Sequence, residues 1–306
     1  MHIGMTQITE GQSLYTHKKS NVAKTWFLLT ILFGVILGFG FFLSVYFDSF
    51  VVMAIAAGVS IFGSVTSYWF ADDMVLKMSG VEIIDRAGNK ELYDIVDNLA
   101  IAGGMPTPKI GIMRDGALNA FATGRTPEKG VVVFTEGLLQ TLTTEELRGV
   151  AAHEISHIAN RDTLIGTIAV VLASIVAMSV RMMHFGGARQ NDSRRGGIVM
   201  IIGLALMILA PLVSSLLRMA ISRKREFLAD TSGAMLSGNP EGLASALEKI
   251  GGSPQSLDHA HESTAHLFIS NPFGNGMQKL SRLFATHPPI EERVARLRGA
   301  DKYGEI

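Results

Sequence analysis

Apolar residues are unevenly distributed along the chain. Trp26 to Phe47 and Phe50 to Phe70 are two nearly unbroken apolar runs, each exceeding the roughly 20 helical residues that a hydrocarbon core requires. Lys18, Lys19 and Lys24 precede the first run, and the turn around Asp48 holds no Lys or Arg. Basic residues before the hairpin and none in its turn place both ends in the cytoplasm. A cleavable leader would have a shorter apolar core ending in small residues, so the first run reads as an uncleaved anchor. Leu164 to Val180 is at the short limit for a span, and Ile198 to Leu217 has Pro211 inside it. Arg181, Arg189, Arg194 and Arg195 between these two segments run against the positive-inside tendency if both cross. Packing against the membrane face or on the soluble domain without crossing is the other reading.

The pattern changes in 71–163 and 218–306. Leu92, Ile95, Val96 and Leu99 follow helical spacing over 91–102, and Gly103-Gly104 ends it. Lys109 to Met113 and Gly130 to Thr135 read as strands, with Asn119 to Gly124 as a further short one. Thr143-Thr144-Glu145-Glu146 is a capping box that opens a helix running to about residue 159. A helix from Ser222 to about Ser237 stops at Gly238, and another starts at Pro240. Residues 251–276 read as loop, and a short closing helix begins near Pro289. The expected fold is mainly α with a small β-sheet, joined to as many as four transmembrane helices. The divisions are 1–25, a cytoplasmic segment; 26–70, a transmembrane hairpin; 71–163, the first part of a soluble domain; 164–217, a second hydrophobic hairpin; and 218–306, the second part of the soluble domain.

Composition narrows the chemistry. Charged residues make up 18% of the chain and sum to a formal net charge of zero, which suits lipid-facing helices and gives no support to nucleic-acid binding. Cysteine is absent. Disulfides, thiolate metal sites and thiol nucleophiles are therefore excluded, and a metal must be held by nitrogen and oxygen.

His153 and His157, four apart on the capped helix, share one face and can bind a single zinc ion. Glu154 projects about 100° round the helix, within reach of a metal-activated water without being a ligand. Zinc brings that water's pKa towards neutrality, and the carboxylate takes its proton. A catalytic zinc has a third protein ligand. Glu226 is the candidate, and Asp230, one turn later, can accept a zinc histidine's free ring N–H. The competing reading pairs Glu226 with Arg223 or Lys224 at the surface. Both His157 and Glu226 reach one zinc if 164–217 crosses the membrane twice or not at all.

The segments ADDMVLKMSG (71–80), NAFATG (119–124), AAHEISHIANRD (151–162), AISRKREFLAD (220–230), NPEGLASALEKI (239–250) and THPPIEERVARL (286–297) resemble the HtpX branch of the M48 metalloproteases. Asp73 and Leu118 depart from it, standing where many members have lysine and proline. The resemblance implies a multi-pass membrane endopeptidase of the plasma (inner) membrane with a cytoplasmic zinc site, acting in protein quality control on polypeptide substrates, membrane proteins among them. It implies His153, His157 and Glu226 as ligands to one zinc and Glu154 as the base. Asn119, on an edge strand, is a candidate to hold substrate backbone, and His287 to donate to the oxyanion; a turn asparagine and a structural loop histidine are the plainer readings. His259, His261 and His266 read as loop residues. A prenyl-protein protease of the CAAX type has more membrane helices than the four seen here. An intramembrane protease has its motif inside an apolar helix, whereas Arg148, Arg161 and Asp162 flank this one. A non-catalytic zinc-stabilised chaperone would have no need of Glu154.

Overall fold

The computed structural model describes residues 48–170, 223–258, 264–273 and 287–299, with scattered positions between 23 and 45. Helix α1 (Phe50–Met78) leads into strand β1 (Val81–Ile83), helix α2 (Lys90–Ala102), strands β2 (Lys109–Met113) and β3 (Ala120–Thr123), and strand β4 (Val131–Thr135). Helices α3 (Glu136–Thr141), α4 (Thr144–Ala159), α5 (Arg223–Ser237), α6 (Pro240–Gly252) and α7 (Ile290–Leu297) complete the labelled elements. The architecture is mainly helical with one four-stranded sheet, in the order β1-β2-β4-β3. β2 and β4 are parallel, and the outer two strands run antiparallel to their neighbours.

Alternation along the strands sorts the core into two layers. Ile110, Ala120, Ala122, Val132 and Phe134 face a cluster built with Leu92, Leu99, Val150, Ile155, Ile158 and Leu247 from the helices. Met113, Phe121, Val131 and Val133 face the opposite way, onto Val75 of α1, Val170 and Phe268. Leu164, Ile165, Ile168, Ala169 and Val170 are buried. The apolar start of the predicted second hairpin is thus packed onto the sheet, where Thr163 Oγ1 donates to Gly124 O at 2.6 Å. Residues 171–222 of that hairpin lie outside the described residues. Among the described residues, no helix is long and apolar enough to cross a membrane.

The sequence expectations hold for α2, β2, α4, α5 and α7 within a residue or two. The reading of 251–276 as loop omitted the last turn of α6 and a 3₁₀ turn at Ala265–Leu267. Strand β1 and helix α3 were not anticipated, being only 3 and 6 residues long.

Candidate metal centre and active site

α4 carries the centre, and its start is fixed locally. Thr143 Oγ1 accepts from Glu146 N, while Glu146 Oε2 accepts from Thr143 N at 2.8 Å, forming the predicted capping box. Lys249 and Ser245 of α6 then donate to Glu146 at 2.7 and 2.6 Å, tying the first turn of α4 to its neighbour. Burial pushes the Glu146 carboxyl up, but those donors outweigh it and hold the group at about 2. α5 packs closely on the other side. A Cβ on Gly233 would sit 2.9 Å from His153 N, so only glycine lets the two backbones approach so near.

This packing brings three donors together. His153 Nε2 and His157 Nε2 are 3.2 Å apart, and Glu226 oxygens lie 3.9 and 3.7 Å from them. Ligands bonded to one tetrahedral zinc at about 2.0–2.1 Å stand roughly 3.4 Å from one another, so the trio fits. Asp230 Oδ1 is 3.0 Å from His153 Nδ1, and Asp162 Oδ2 is 3.3 Å from His157 Nδ1. Each contact reserves the outer nitrogen for a carboxylate and leaves Nε2 for a cation. Charge supports the same fit. Glu154, Asp162, Glu226 and Asp230 are all buried, and the guanidinium groups beside them belong to Arg225 and Arg293. Among the described residues these carboxylates outnumber the arginines beside them, an excess that a bound cation would offset.

For the polypeptide by itself, titration reflects that demand. Burial drives His153 down to about 4 despite Asp230. Burial also disfavours charge on His157, but Asp162, Glu226 and Glu154 raise it to about 9. Burial pushes Glu154 up to about 7, even though it accepts a hydrogen bond from the Ala122 N–H. Glu226 is held well below the usual carboxylate range by the facing imidazoles, which overcome its burial.

Glu226 therefore faces inward, and Arg223 and Lys224 are not its partners. His287 joins the cleft from the far end of the chain. Its Nδ1 is 2.6 Å from Glu226 Oε2, and its buried Nε2 makes no hydrogen bond among the described residues. His266 also lines the cleft, with Nε2 3.2 Å from Gly166 O; His259 and His261 lie outside the described residues. Asn119 directly precedes β3, an edge strand as expected, but its side chain holds the chain's own backbone at Ser270. The sequence reading missed Arg293. It is fully buried and bonds both oxygens of Asp230. One of two arginines on a short helix with strongly amphipathic spacing, it reads as surface, and nothing local marks it otherwise.

The profile of peptidase family M48 matches residues 86–301. The chain is similar to the Protease HtpX homolog of Pyrococcus furiosus, 45% identical over 280 residues that cover 90% of this chain and 94% of that one. It is 45% identical over 252 residues to the Protease HtpX homolog of Syntrophobacter fumaroxidans, covering 80% and 89% of the two chains. For the Caldanaerobacter subterraneus Protease HtpX homolog the figures are 41% over 299 residues, 94% and 98%. Among solved structures, the crystal structure of S. mikatae Ste24p aligns with a TM-score of 0.47 and 18% identity, over 92% of this chain and 67% of that one.

Proposed function

The chain belongs to peptidase family M48 and is a metalloendopeptidase, and from that premise we propose that it hydrolyses peptide bonds of misfolded or damaged membrane proteins at the cytoplasmic face of the plasma membrane. The observation that carries this reading is the convergence of His153 Nε2, His157 Nε2 and the Glu226 carboxylate beside Glu154. In it, those three side chains hold one zinc ion and Asp230 fixes the ring of His153. Zinc, when bound, supplies Lewis acidity towards water and the scissile carbonyl. Glu154 takes the attacking water's proton and passes it to the leaving amine. His287, which lines the cleft, donates to the oxyanion. Substrate lies extended along the β3 edge at Asn119 and Ala122.

Membrane attachment is supported by where large apolar side chains remain exposed. Trp26, Phe27, Phe41, Val45, Phe50, Val51, Ile61, Phe62, Trp69 and Phe70 all belong to the two N-terminal apolar runs. Among the described residues only Ile83, Ile101 and Met235 are large exposed hydrophobics outside these runs, and so many exposed apolar side chains on two helical runs fit lipid better than water. In this reading 26–70 is a transmembrane hairpin, the residues before it are cytoplasmic, and 164–217 lies at or across the bilayer between the two halves of the catalytic domain.

The test is the full chain in detergent micelles, loaded with zinc and given an unfolded membrane polypeptide. Glu154→Gln should keep its zinc and cleave roughly 10²–10⁴-fold more slowly. Cleavage by that variant at the wild-type rate would sink the assignment, as would undiminished cleavage by wild type after a chelator has removed the metal.

A further inference from the structure

The edge of β3 is already paired with the chain itself. Ile269 N donates to Ala120 O at 2.9 Å, and Phe121 and Phe268 form an antiparallel bridge with their rings edge-to-face, centroids 5.0 Å apart. Asn119 grips Ser270 at both of its backbone groups: Nδ2 donates to Ser270 O at 3.1 Å, and Oδ1 accepts from Ser270 N at 3.4 Å. From the opposite side, Arg293 Nη1 donates to Ile269 O at 3.2 Å. These edge groups are the ones an added polypeptide strand would use. The space for solvent in the adjoining cleft is only ≈ 40 Å³, room for a few waters and not for a peptide.

We propose that residues 268–270 are an internal competitor of the substrate: they occupy the docking edge formed by Asn119 and Ala120, and a polypeptide gains the site by displacing them. This rests on the reading of β3 as the substrate-binding edge. Main-chain hydrogen bonds can be exchanged one for one, so the backbone part of the exchange is nearly neutral. The side chains are another matter, because Phe268 and Ile269 are 2% and 1% exposed. Displacing them uncovers apolar surface that the incoming chain must replace with its own. The competitor therefore selects a substrate class: segments free to become fully extended and carrying adjacent bulky apolar residues. Folded proteins fail the first requirement and polar unfolded chains the second.

The chain has no cysteine, so Phe121→Cys with Phe268→Cys introduces the only two thiols and can pin the segment to the edge. In zinc-loaded protein in detergent micelles, the disulfide form should cleave unfolded casein at least about tenfold more slowly than the same protein after reduction. Equal rates overturn the proposal. A second measurement needs no cysteine. In zinc-loaded Glu154→Gln, amide exchange over 264–270 should quicken about threefold or more when saturating casein is added. Unchanged or slower exchange overturns it. Failure of the peptidase reading looks different: wild type and reduced variant alike would leave casein intact, while the exchange experiment still reports displacement.

Discussion

Arg293 closes on Asp230 with two hydrogen bonds, Nε to Oδ2 at 2.9 Å and Nη2 to Oδ1 at 2.7 Å. The carboxylate's remaining contact is with His153 Nδ1, so the arginine sets the aim of a group that sets the aim of a proposed metal ligand. Arg293→Lys keeps the charge and loses the fork. Its zinc affinity, measured by competition with a chelator, should fall roughly 10–100-fold, the usual effect of disturbing an outer partner. Arg293→Met leaves Asp230 buried without its cation and should lose about 3–5 kcal/mol of stability. Wild-type zinc affinity in both variants would refute the positioning role.

Glu146 gives a prediction in acid. Its carboxyl is held at about 2 in the folded protein, against about 4.3–4.5 when unfolded. The folded value is the lower one, so the stabilisation is complete above the unfolded pKa and is lost as pH falls from about 4.5 towards 2. Glu146→Gln removes the Lys249 ion pair and should cost roughly 2 kcal/mol near pH 7. The gap between the denaturation midpoints of wild type and variant should narrow steadily below about pH 4.5 and close only as pH approaches about 2. A gap that stays constant with pH would refute the linkage.

At Gly233 the backbones of α5 and α4 are too close for a side chain. Gly233→Ala must push α5 away from His153, at a cost of about 1–3 kcal/mol. Because α5 also carries Glu226, zinc affinity should fall along with the melting temperature. Exposed Gly252, where an added Cβ meets nothing within 4 Å, is the control: its alanine variant should change neither.

Arg161 takes a left-handed conformation, φ 57°, directly after α4 ends at Asn160. That turn swings Asp162 back to His157. A side chain there costs of order 1 kcal/mol relative to glycine. Arg161→Gly should therefore keep zinc affinity and match or exceed wild type in thermal stability. A clear loss would mean that the arginine side chain, not the turn, is what matters at this position.

Much of the centre is legible in the sequence because helices encode it with short-range spacing. His153 and His157, Glu226 and Asp230 are i,i+4 pairs, and a four-residue period suffices to read each pair as one face. Joining the pairs takes the glycine contact at Gly233, which no local pattern announces. Arg293 is invisible for a related reason, since its burial comes from four elements meeting at its position. The apolar run from Leu164 supports two readings. Its first residues are hydrophobic because they pack on the sheet, and apolarity alone does not distinguish a protein interior from lipid. Asn119 lies one residue before β3, and its side-chain partner in the structure is Ser270, 151 positions away.

The scatter of the site along the sequence also bears on when it comes into being. His153 and Glu154 leave the ribosome well before Glu226 and Asp230, and Arg293 follows only after a further helix and connection. A growing chain carries the histidine motif for a long interval with nothing to complete it. On the proposed ligand set, the metal site of a growing chain is therefore complete only once Glu226 has been made.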